Sequence, residues 1–305
     1  MNNKPLLSIC IPTYKRDYVM RELLESIYSQ GVSHDLFEVC ITDNSDTDET
    51  QRLIEQEFAG IDNLHYKRTT CQGFLNSFEA LKSGNGELLK LHNDYSILKP
   101  GMLEDLIKGV QQVSNERPLI FFSVGALSER NVWNFDNYND FMDCIGMYAT
   151  WSTSFSIWRE DLDRFIASGI EVDHMYPHTT ILHSLTYKTK YYVANLDCVD
   201  NKPLNRKGGY NLVDNFVRIY LGMVRADLLE KGAITGKTYR KIENQVLHFV
   251  AAWLDATIHD ERFTFEFDSK NHIIRDTCGL RGVLRFNWEY AIISAKRVIK
   301  GIIGR

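Results

Sequence analysis

The chain has 305 residues, of which 44% are hydrophobic and 25% are charged, the ordinary composition of a soluble globular protein. This length is enough for one large domain or two smaller ones. The net charge of −5 gives no reason to expect nucleic-acid binding as the main task, and no apolar run approaches the roughly 18 residues that a membrane-spanning helix needs.

The cysteines are scattered, with neither a CxxC pair nor a Cys/His cluster, so their spacing supports neither a disulfide framework nor a zinc site. Cys10 and Cys40 lie within apolar runs that we expect to be buried strands. The N-terminus leads straight into the first of these runs and shows no signal peptide. Together these features predict a protein of the reducing cytoplasm.

Three strand-like runs near the start of the chain each stop at a polar cluster. They are Leu6 to Ile11 before Pro12-Thr13-Tyr14-Lys15-Arg16, Phe37 to Thr42 before Asp43-Asn44-Ser45-Asp46, and Glu87 to Leu91 before His92-Asn93-Asp94. Because ligands bind just beyond the carboxyl ends of strands in an open α/β sheet, we expect the three clusters to line one crevice. Their side chains are of the kinds that hold a base, a ribose and a metal-bound diphosphate, which indicates a nucleotide-sugar enzyme.

Helical patterns separate these strands. Met20, Leu23, Leu24 and Ile27 repeat at helical spacing, and a second helix is predicted to begin near Asp46 with a capping box. The pattern then predicts a strand at Leu64 to Lys67, helices over Phe74 to Leu81 and Leu103 to Val110, and a strand at Leu119 to Val124. This alternation predicts a mostly parallel central sheet, and the absence of GxGxxG and P-loop motifs argues against dinucleotide-binding and NTPase functions.

Beyond Gly125 the pattern loosens, and residues 125–150 are predicted to form a long surface loop. The elements predicted after it are a strand at Phe155 to Trp158, helices at Glu160 to Ile166 and Pro177 to Tyr187, a strand at Tyr191 to Leu196, and helices at Leu212 to Leu229 and Thr238 to Ile258. We therefore expect an α/β domain over residues 1–200, with halves at about 5–110 and 111–200, and a helical C-terminal extension over residues 201–305.

The segments Leu7 to Arg16 and Thr42 to Thr50 resemble the start of the family 2 glycosyltransferases of the GT-A fold. The later segment Gly86 to Asp94, followed by Leu98-Lys99-Pro100-Gly101, sits where that family carries its metal-binding acidic motif. The resemblance covers roughly residues 5–110. The stretch Asn205 to Val217 and the helical tail are similar to the abequosyltransferase-like branch, which builds bacterial O-antigen repeats.

This resemblance implies an α/β fold of the GT-A nucleotide-sugar-binding type, with the donor bound by the first half of the domain and the acceptor by the second. It also implies an inverting hexosyl- or deoxyhexosyltransferase. Such an enzyme moves a sugar from a nucleotide-diphosphate sugar to a hydroxyl of a lipid-linked oligosaccharide during the synthesis of bacterial surface polysaccharide (O-antigen or capsule).

The resemblance also implies a role for each matching residue. Around the base and ribose it places Pro12, Thr13, Tyr14 and Arg16, with Asp43 at the uracil N3–H or its equivalent. Asn44 and Asn93 are further substrate-binding candidates. Asp94, preceded by Asn93, is expected to bind Mn²⁺ or Mg²⁺ bridging the donor phosphates.

The acidic motif of this chain departs from the family pattern. The run His92-Asn93-Asp94-Tyr95-Ser96 contains one carboxylate, where the family usually shows Asp-x-Asp or consecutive aspartates. Either the diphosphate supplies most of the metal ligands, as is common for magnesium, or Arg206 and Lys207 take over part of the neutralisation. Metal dependence is left open at this stage.

An inverting mechanism needs a general base that deprotonates the acceptor hydroxyl. In the family that this chain resembles, the base is an Asp or Glu well downstream of the acidic motif. Glu171, Asp173 and His178 lie at about that separation, just before a predicted helix, and we favour Asp173. The alternative for Asp173 is a helix N-cap, and His174 or His178 are alternatives for orienting the acceptor or a phosphate.

Residues 288–305 predict a basic amphipathic helix with an aromatic edge at Trp288. Such a helix lies in a membrane interface, or it packs on the catalytic domain or a partner subunit. The O-antigen acceptors implied by the resemblance are carried on polyprenyl diphosphate at the inner leaflet. We therefore expect a cytoplasmic protein, and for this helix peripheral contact with the inner membrane and packing within the protein or on a partner subunit both stay open.

Two other functions are alternatives to sugar transfer. The degenerate acidic motif is compatible with a non-catalytic nucleotide-sugar-binding protein. A sugar nucleotidylyltransferase shares a related sheet, but its glycine-rich loop after the first strand is absent here, and the Pro12-Thr13-Tyr14 turn is a poor substitute.

Overall fold

The computed structural model describes residues 4–127, 132–203 and 207–303. Residues 300–303 are described by their backbone alone. The chain divides into two compact units. Unit 1 consists of Met1–Phe141 and Tyr148–Pro203, and unit 2 consists of Met142–Met147 and Leu204–Arg305.

Unit 1 alternates strands and helices through most of its length. In chain order its elements are β1 (Leu7–Thr13), α1 (Asp17–Tyr28), β2 (Phe37–Asp43), α2 (Glu49–Glu57), β3 (Leu64–Arg68), α3 (Asn76–Ser83), β4 (Leu88–Leu91), β5 (Ser96–Leu98), α4 (Met102–Val113), β6 (Leu119–Phe122), β7 (Val132–Phe135), α5 (Tyr138–Ile145, whose end enters unit 2), β8 (Ser156–Trp158), α6 (Arg159–Ala167), α7 (Pro177–Ser184), β9 (Tyr191–Ala194) and β10 (Val199–Asn201).

The central sheet has the strand order β3-β2-β1-β4-β8. Every pairing in it is parallel except that of β4 with β8, which confirms the predicted mostly parallel sheet. β2 is buried along its whole length and β1 along nearly all of it, because helices cover both faces of such a sheet and apolar residues therefore run continuously.

The register of this sheet brings the polar strand ends together. Thr13 at the end of β1 lies opposite Asp43 at the end of β2. On the other side of β1, Cys10 pairs with Leu91, and the His92 amide donates to the Cys10 carbonyl at 2.9 Å. Residues 92–94 therefore continue past the end of β4 beside the last residues of β1.

The predicted surface loop over residues 125–150 is wrong in part, since β7 and α5 lie within it. β7 pairs antiparallel with β9 in a second sheet of order β6-β9-β7. Phe141 of α5 is buried against Tyr191 of β9, with ring centroids 5.4 Å apart. Two of the aromatic residues that made this stretch irregular as a pattern, Tyr138 and Phe141, are therefore core residues.

The second helix also differs slightly from its prediction. α2 begins at Glu49 with Asp48 at the cap position, whereas Asp46 lies before it and forms an exposed ion pair with Lys15 at 2.7 Å. The residue expected to start the helix instead ties the loop after β1 to the loop after β2.

Unit 2 is largely helical, as the sequence predicts. One helix, α8, runs through Asp214–Tyr220, Leu221–Met223 and Val224–Leu229, with π-type hydrogen bonding in its first and last parts. It is followed by α9 (Gly236–His259) and α10 (Lys270–Ile303), and α10 is kinked at Gly279, whose φ is 70°. Two short strands that were not predicted, β11 (Lys207–Asn211) and β12 (Phe263–Glu266), pair in parallel.

The helices of both units are short or polar relative to the hydrocarbon core of a lipid bilayer. Within the ranges that the structure describes, none combines the length and the apolar character that a bilayer crossing requires.

Candidate functional site

The carboxyl ends of β1, β2, β3 and β4 meet around Thr13, which is buried. Its hydroxyl donates a hydrogen bond to Asp94 Oδ2 at 2.8 Å, and its carbonyl accepts one from the Asn76 side chain at 3.1 Å. Asp43 is its register partner on β2. The two predicted carboxylates therefore lie on either side of a single threonine.

Asp94 is held by two donors. Besides the Thr13 hydroxyl, the Arg16 guanidinium donates to its Oδ1 at 2.7 Å, in an ion pair whose acidic side chain is only 2% exposed. Burial raises the pKa of Asp94, and the positive charge of Arg16 counteracts this rise. Arg16 also lies over the Tyr95 ring, 5.3 Å from its centroid. Arg16 is thus the built-in counter-charge of the acidic motif.

Asp43 is fully buried and also has its hydrogen bonds satisfied. Its Oδ1 accepts from the Ser45 amide at 2.8 Å and from the Ser45 hydroxyl, and its Oδ2 accepts from the Tyr66 hydroxyl at 3.1 Å. A carboxylate held in this way is fixed in orientation. A ligand reaches it only if the covering side chains move.

The exposed part of the site consists of Tyr14, Arg16 and two asparagines. Tyr14 is 52% exposed, and the Lys15 ammonium lies 5.2 Å from its ring centroid. Asn44 donates to the carbonyls of Cys71 and Gly73, at 3.1 and 3.2 Å, and so anchors the loop before α3. Pro12, half-buried within β1, lies opposite Thr42.

Asn93 connects the acidic motif to the later part of unit 1. Its Oδ1 accepts from the Ser152 hydroxyl at 2.8 Å, and its amide donates to the Tyr95 hydroxyl at 3.1 Å. Two residues before Ser152, the Thr150 carbonyl lies 3.1 Å from His178 Nε2. The segment around Ser152 therefore joins the end of β4 to the start of α7.

His178 is buried, and its burial lowers the pKa of the imidazole to about 4 from an ordinary value of 6.5. Its Nδ1 has no hydrogen-bond partner among the residues that the structure describes. The buried ring is therefore neutral at neutral pH, which makes it a poor phosphate-binding cation.

This burial predicts an acid-sensitive fold. In the unfolded chain His178 is protonated below about pH 6.5, whereas in the folded chain it is protonated only below about pH 4. The free energy of unfolding therefore falls over this interval, by up to about 3 kcal/mol. We expect the His178→Asn variant, which keeps a side-chain donor, to lose less stability between pH 7 and pH 4.5 in urea denaturation. An equal loss in both proteins would contradict this assignment.

Asp173, the predicted base, is half-exposed and caps the loop before α7. Its Oδ1 accepts from the amides of Met175 and Tyr176, at 2.8 and 2.9 Å. Its Oδ2 accepts no hydrogen bond from any residue in the described part of the chain. The neighbouring candidates Glu171 and His174 are exposed. Capping and catalysis are both compatible with this geometry, because they use different oxygens.

The two predicted downstream cations belong to unit 2. Arg206 lies outside the described residues. Lys207 belongs to β11 in unit 2, where its ammonium lies 4.7 Å from the Trp253 ring centroid. Their proposed contribution to neutralising the diphosphate stays a prediction.

The residues of the site fit a divalent cation only in part. No group of three or more His, Cys, Asp and Glu side chains with metal-binding geometry occurs in the described ranges. His92, next to the motif, is bonded to the Ser96 carbonyl, and burial lowers its pKa to about 3. Asp94 is therefore a single hard-oxygen donor, which suits a cation such as Mg²⁺ only if a ligand's phosphates supply further oxygens.

Several residues of the site were missed at the sequence level. Tyr66 and Arg68 are on β3, and Arg68 at its end donates to the Ser45 carbonyl at 2.9 Å. The strand-end argument applied to β3 would have found Arg68. Asn76, which donates to the carbonyls of both Thr13 and Thr42, is polar on the buried face of a helix, and no local signal marks it.

Comparisons with known proteins bear on this site. The model of the glycosyl transferase family 2 matches residues 8–116, which include every strand end described above. Abequosyltransferase RfbV of Salmonella typhimurium is 46% identical over 50 residues, a match that spans 16% of this chain and 15% of that protein.

The solved structures extend the likeness over most of the chain. Staphylococcus aureus TarS 1–349 superimposes with a TM-score of 0.61 at 13% identity, covering 96% of this chain and 91% of that one, and its UDP-GlcNAc complex gives 0.58. This chain spans 43% of the longer TarS chain. The mannosyltransferase PcManGT from Pyrobaculum calidifontis, in complex with GDP-Man and Mn²⁺, gives 0.51 at 14% identity, covering 94% of this chain and 87% of that one.

Proposed function

The chain carries a glycosyl transferase family 2 domain on a GT-A fold, and from this premise we propose that it transfers a sugar from a nucleotide-diphosphate sugar to a hydroxyl of a polysaccharide precursor. In this proposal the anomeric carbon is inverted in a single displacement. The acceptor is a lipid-linked oligosaccharide, as in O-antigen or capsule synthesis, and the partial match to an abequosyltransferase supports this choice.

One observation carries the proposal. Two buried carboxylates, Asp43 and Asp94, flank Thr13 at the ends of β2 and β4, on either side of β1. The ends of adjacent parallel strands are where open α/β sheets bind ligands. Once the side chains that cover it move, the carboxylate fixed by Ser45 and Tyr66 accepts a hydrogen bond from a nucleobase, while the second carboxylate and its arginine bind a diphosphate.

Arg16 is the residue best suited to the leaving group. Its side chain is 35% exposed and rests on the Tyr95 ring, and Asp94 fixes one of its nitrogens. Guanidinium groups form charge-assisted hydrogen bonds with phosphate oxygens. As the sugar–oxygen bond breaks, Arg16 neutralises charge that develops on the diphosphate, and this stabilises the transition state more than the ground state.

Asp94 would hold a divalent cation, Mn²⁺ or Mg²⁺, with oxygens of the donor's phosphates as its further ligands. The cation supplies further neutralisation of the leaving diphosphate. The single carboxylate supports a cation that binds weakly without donor, and Arg16 shares its role.

Asp173 is proposed as the general base, and its second oxygen is the atom that takes the acceptor's proton. The Asp173→Asn variant keeps the oxygen that accepts from Met175 and Tyr176 but lacks a basic carboxylate. We expect its kcat for transfer to fall by about a hundredfold or more, with unchanged donor affinity and thermal stability. A kcat within about threefold of wild type would leave Asp173 with capping alone.

Peripheral contact with the inner membrane is proposed through α10. Leu280, Leu284, Trp288, Val298 and Ile299 on this helix are each more than half exposed, although large apolar side chains usually avoid water. Arg281 and Arg285 follow the two leucines directly in sequence and are exposed cations, a composition found in interfacial helices. The sequence predicted the amphipathic helix over residues 288–305. In the structure the exposed apolar residues begin eight residues earlier, at Leu280.

The experiment that tests the proposed function combines binding with turnover. Calorimetry with a panel of nucleotide sugars identifies the donor, and a transfer assay with lipid-linked acceptor is run with and without Mn²⁺ and Mg²⁺. Binding together with transfer supports the proposal. Binding without transfer or donor hydrolysis under any cation would instead favour a nucleotide-sugar-binding protein.

A further inference from the structure

Unit 2 contains a cavity of about 890 Å³ lined by the first half of α9 and by α10. Its titratable lining consists of Lys237, Arg240, Lys241, His248, Arg285 and a single acid, Glu289. This volume is in the range of sites for small molecules. None of these residues belongs to the site described above.

The positive charge of this cavity is only partly compensated. Glu289 is buried and binds His248 Nδ1 at 2.8 Å and the Arg285 guanidinium, while Lys241 pairs with Asp143 at 2.7 Å. Lys237 and Arg240 form no ion pair or hydrogen bond with the residues that the structure describes. Two cations are therefore left to meet an anionic ligand.

The N-terminus of α9 adds to the positive electrostatic potential of the cavity. The helix has 24 residues and begins at Gly236, which itself lines the cavity. The N-terminus of a helix of this length carries the positive end of its dipole. The cavity thus combines two unpaired side-chain cations with a backbone field of the same sign.

An exposed apolar surface runs along α10, the helix that contributes Arg285 and Glu289 to the cavity. Leu280, Leu284 and Trp288 are spaced four residues apart, so they form one stripe along the helix, and each is at least 64% exposed. Arg281 and Arg285 each follow a stripe leucine directly in sequence. Cations that border exposed leucine and tryptophan match a lipid that has an anionic head and an apolar chain.

The charge of the whole chain is divided in the same way. Residues 142–147 and 204–305 contain seventeen Lys and Arg and twelve Asp and Glu, a net charge of +5. The rest of the chain contains eighteen and twenty-eight, a net charge of −10. An acidic protein that concentrates positive charge in one unit is suited to bind an anion there.

We propose that this cavity binds the diphosphate group of the lipid-linked acceptor, with the apolar stripe in contact with the hydrocarbon chain. The identity of the ligand rests on the proposed function. A diphosphate esterified at both ends carries two negative charges, which the two unpaired cations match, and arginine binds phosphate in bidentate geometry. The site then recognises the lipid carrier of the acceptor, separately from the sugar that receives the transfer.

The test uses farnesyl diphosphate as a short probe of this headgroup with the full-length protein. We compare Lys237→Gln/Arg240→Gln with the control Lys231→Gln/Arg275→Gln, which removes two exposed cations of the same unit outside the cavity. The cavity variant is expected to raise the Kd for farnesyl diphosphate by about tenfold or more, because two charge-assisted contacts are lost. The control should stay within about twofold, and inorganic pyrophosphate should compete.

Two outcomes would overturn the proposal: equal affinity in the cavity variant and wild type, or an equal loss in the control. Binding of wild-type protein to phosphatidylglycerol vesicles without affinity for farnesyl diphosphate would also overturn it, since bulk membrane charge would then be the cause. Nucleotide-sugar binding is measured in parallel and should be unchanged in both variants. If nucleotide sugar binds but the cavity variant does not change farnesyl diphosphate binding, only the cavity proposal is refuted. If the cavity variant weakens farnesyl diphosphate binding but no nucleotide sugar binds, only the proposed function is refuted.

Discussion

Replacing Asp94 with Asn is expected to lower the rate of sugar transfer by roughly a thousandfold, with little change in donor affinity. Asparagine keeps an oxygen that can accept from Thr13 but removes the charge that holds Arg16 and any donor-bound cation. The loss therefore falls on leaving-group stabilisation, which matters in the transition state, rather than on base recognition. The measurement is kcat for transfer, with donor Kd from calorimetry.

The fold of this variant has to be examined alongside its activity. Arg16 loses its anionic partner, but its side chain is partly exposed, so we expect a stability cost of only about 1 kcal/mol. Asp105→Asn, an exposed change on α4, is the matched control and should leave transfer unchanged. A folded Asp94→Asn protein with kcat within about fivefold of wild type would remove Asp94 from the proposed chemistry.

Arg16→Gln separates the two sources of neutralisation. If the arginine carries most of it, this variant loses as much transfer as Asp94→Asn and added Mn²⁺ does not restore it. If a donor-bound cation carries most of it, chelation abolishes transfer in the wild-type protein while Arg16→Gln retains a substantial part. Both results are compatible with a glycosyltransferase, and each assigns the charge to a different group.

Replacing Asp43 with Asn is expected to weaken nucleotide binding by about ten- to a hundredfold. The present carboxylate accepts hydrogen bonds only, and Ser45 and Tyr66 fix its orientation. An amide in its place directs an NH₂ group at one of these donors or at the nucleobase. Calorimetric titration with nucleoside monophosphates measures the loss separately from sugar and phosphate contacts.

Tyr66→Phe is the control for this variant. It removes one hydrogen bond to Asp43 while leaving the carboxylate in place, so nucleotide affinity should fall no more than about threefold. The Asp43→Asn protein also loses about 1–3 kcal/mol of stability, because buried donors are left unsatisfied, and its binding is therefore measured where circular dichroism shows it folded. Nucleotide affinity equal to that of Tyr66→Phe would contradict a role of Asp43 in base recognition.

The sequence predicted the part of the site that depends on strand periodicity. Buried parallel strands leave a strong apolar signal, and their ends are marked where polar residues begin, so the convergence of Asp43 and Asp94 follows from β1, β2 and β4. The expected fold class is confirmed by the solved neighbours, and the glycosyl transferase family 2 model matches residues 8–116, the part of the chain in which the resemblance was found. What the sequence could not give is how completely the carboxylates are already satisfied.

Long-range pairings account for the other differences. The Arg16–Asp94 ion pair joins residues 78 positions apart, and neither residue alone indicates it. α5 and β7 were missed because Phe141 and its neighbours pack against β9, far along the chain, rather than repeating along one helix face. Asp173 lies just before a helix, and this place suits both a helix cap and a general base. The sequence therefore predicted both roles.

The thiol of Cys71 lies half-buried in the loop whose carbonyl accepts the Asn44 amide, 3.4 Å from the Thr69 hydroxyl. Burial raises the pKa of the other five thiols, those of Cys10, Cys40, Cys144, Cys198 and Cys278, which slows their alkylation. Cys71 is therefore a ready attachment point for a maleimide fluorophore. Emission from that position would follow occupancy of the crevice in real time, with both acidic side chains left unaltered.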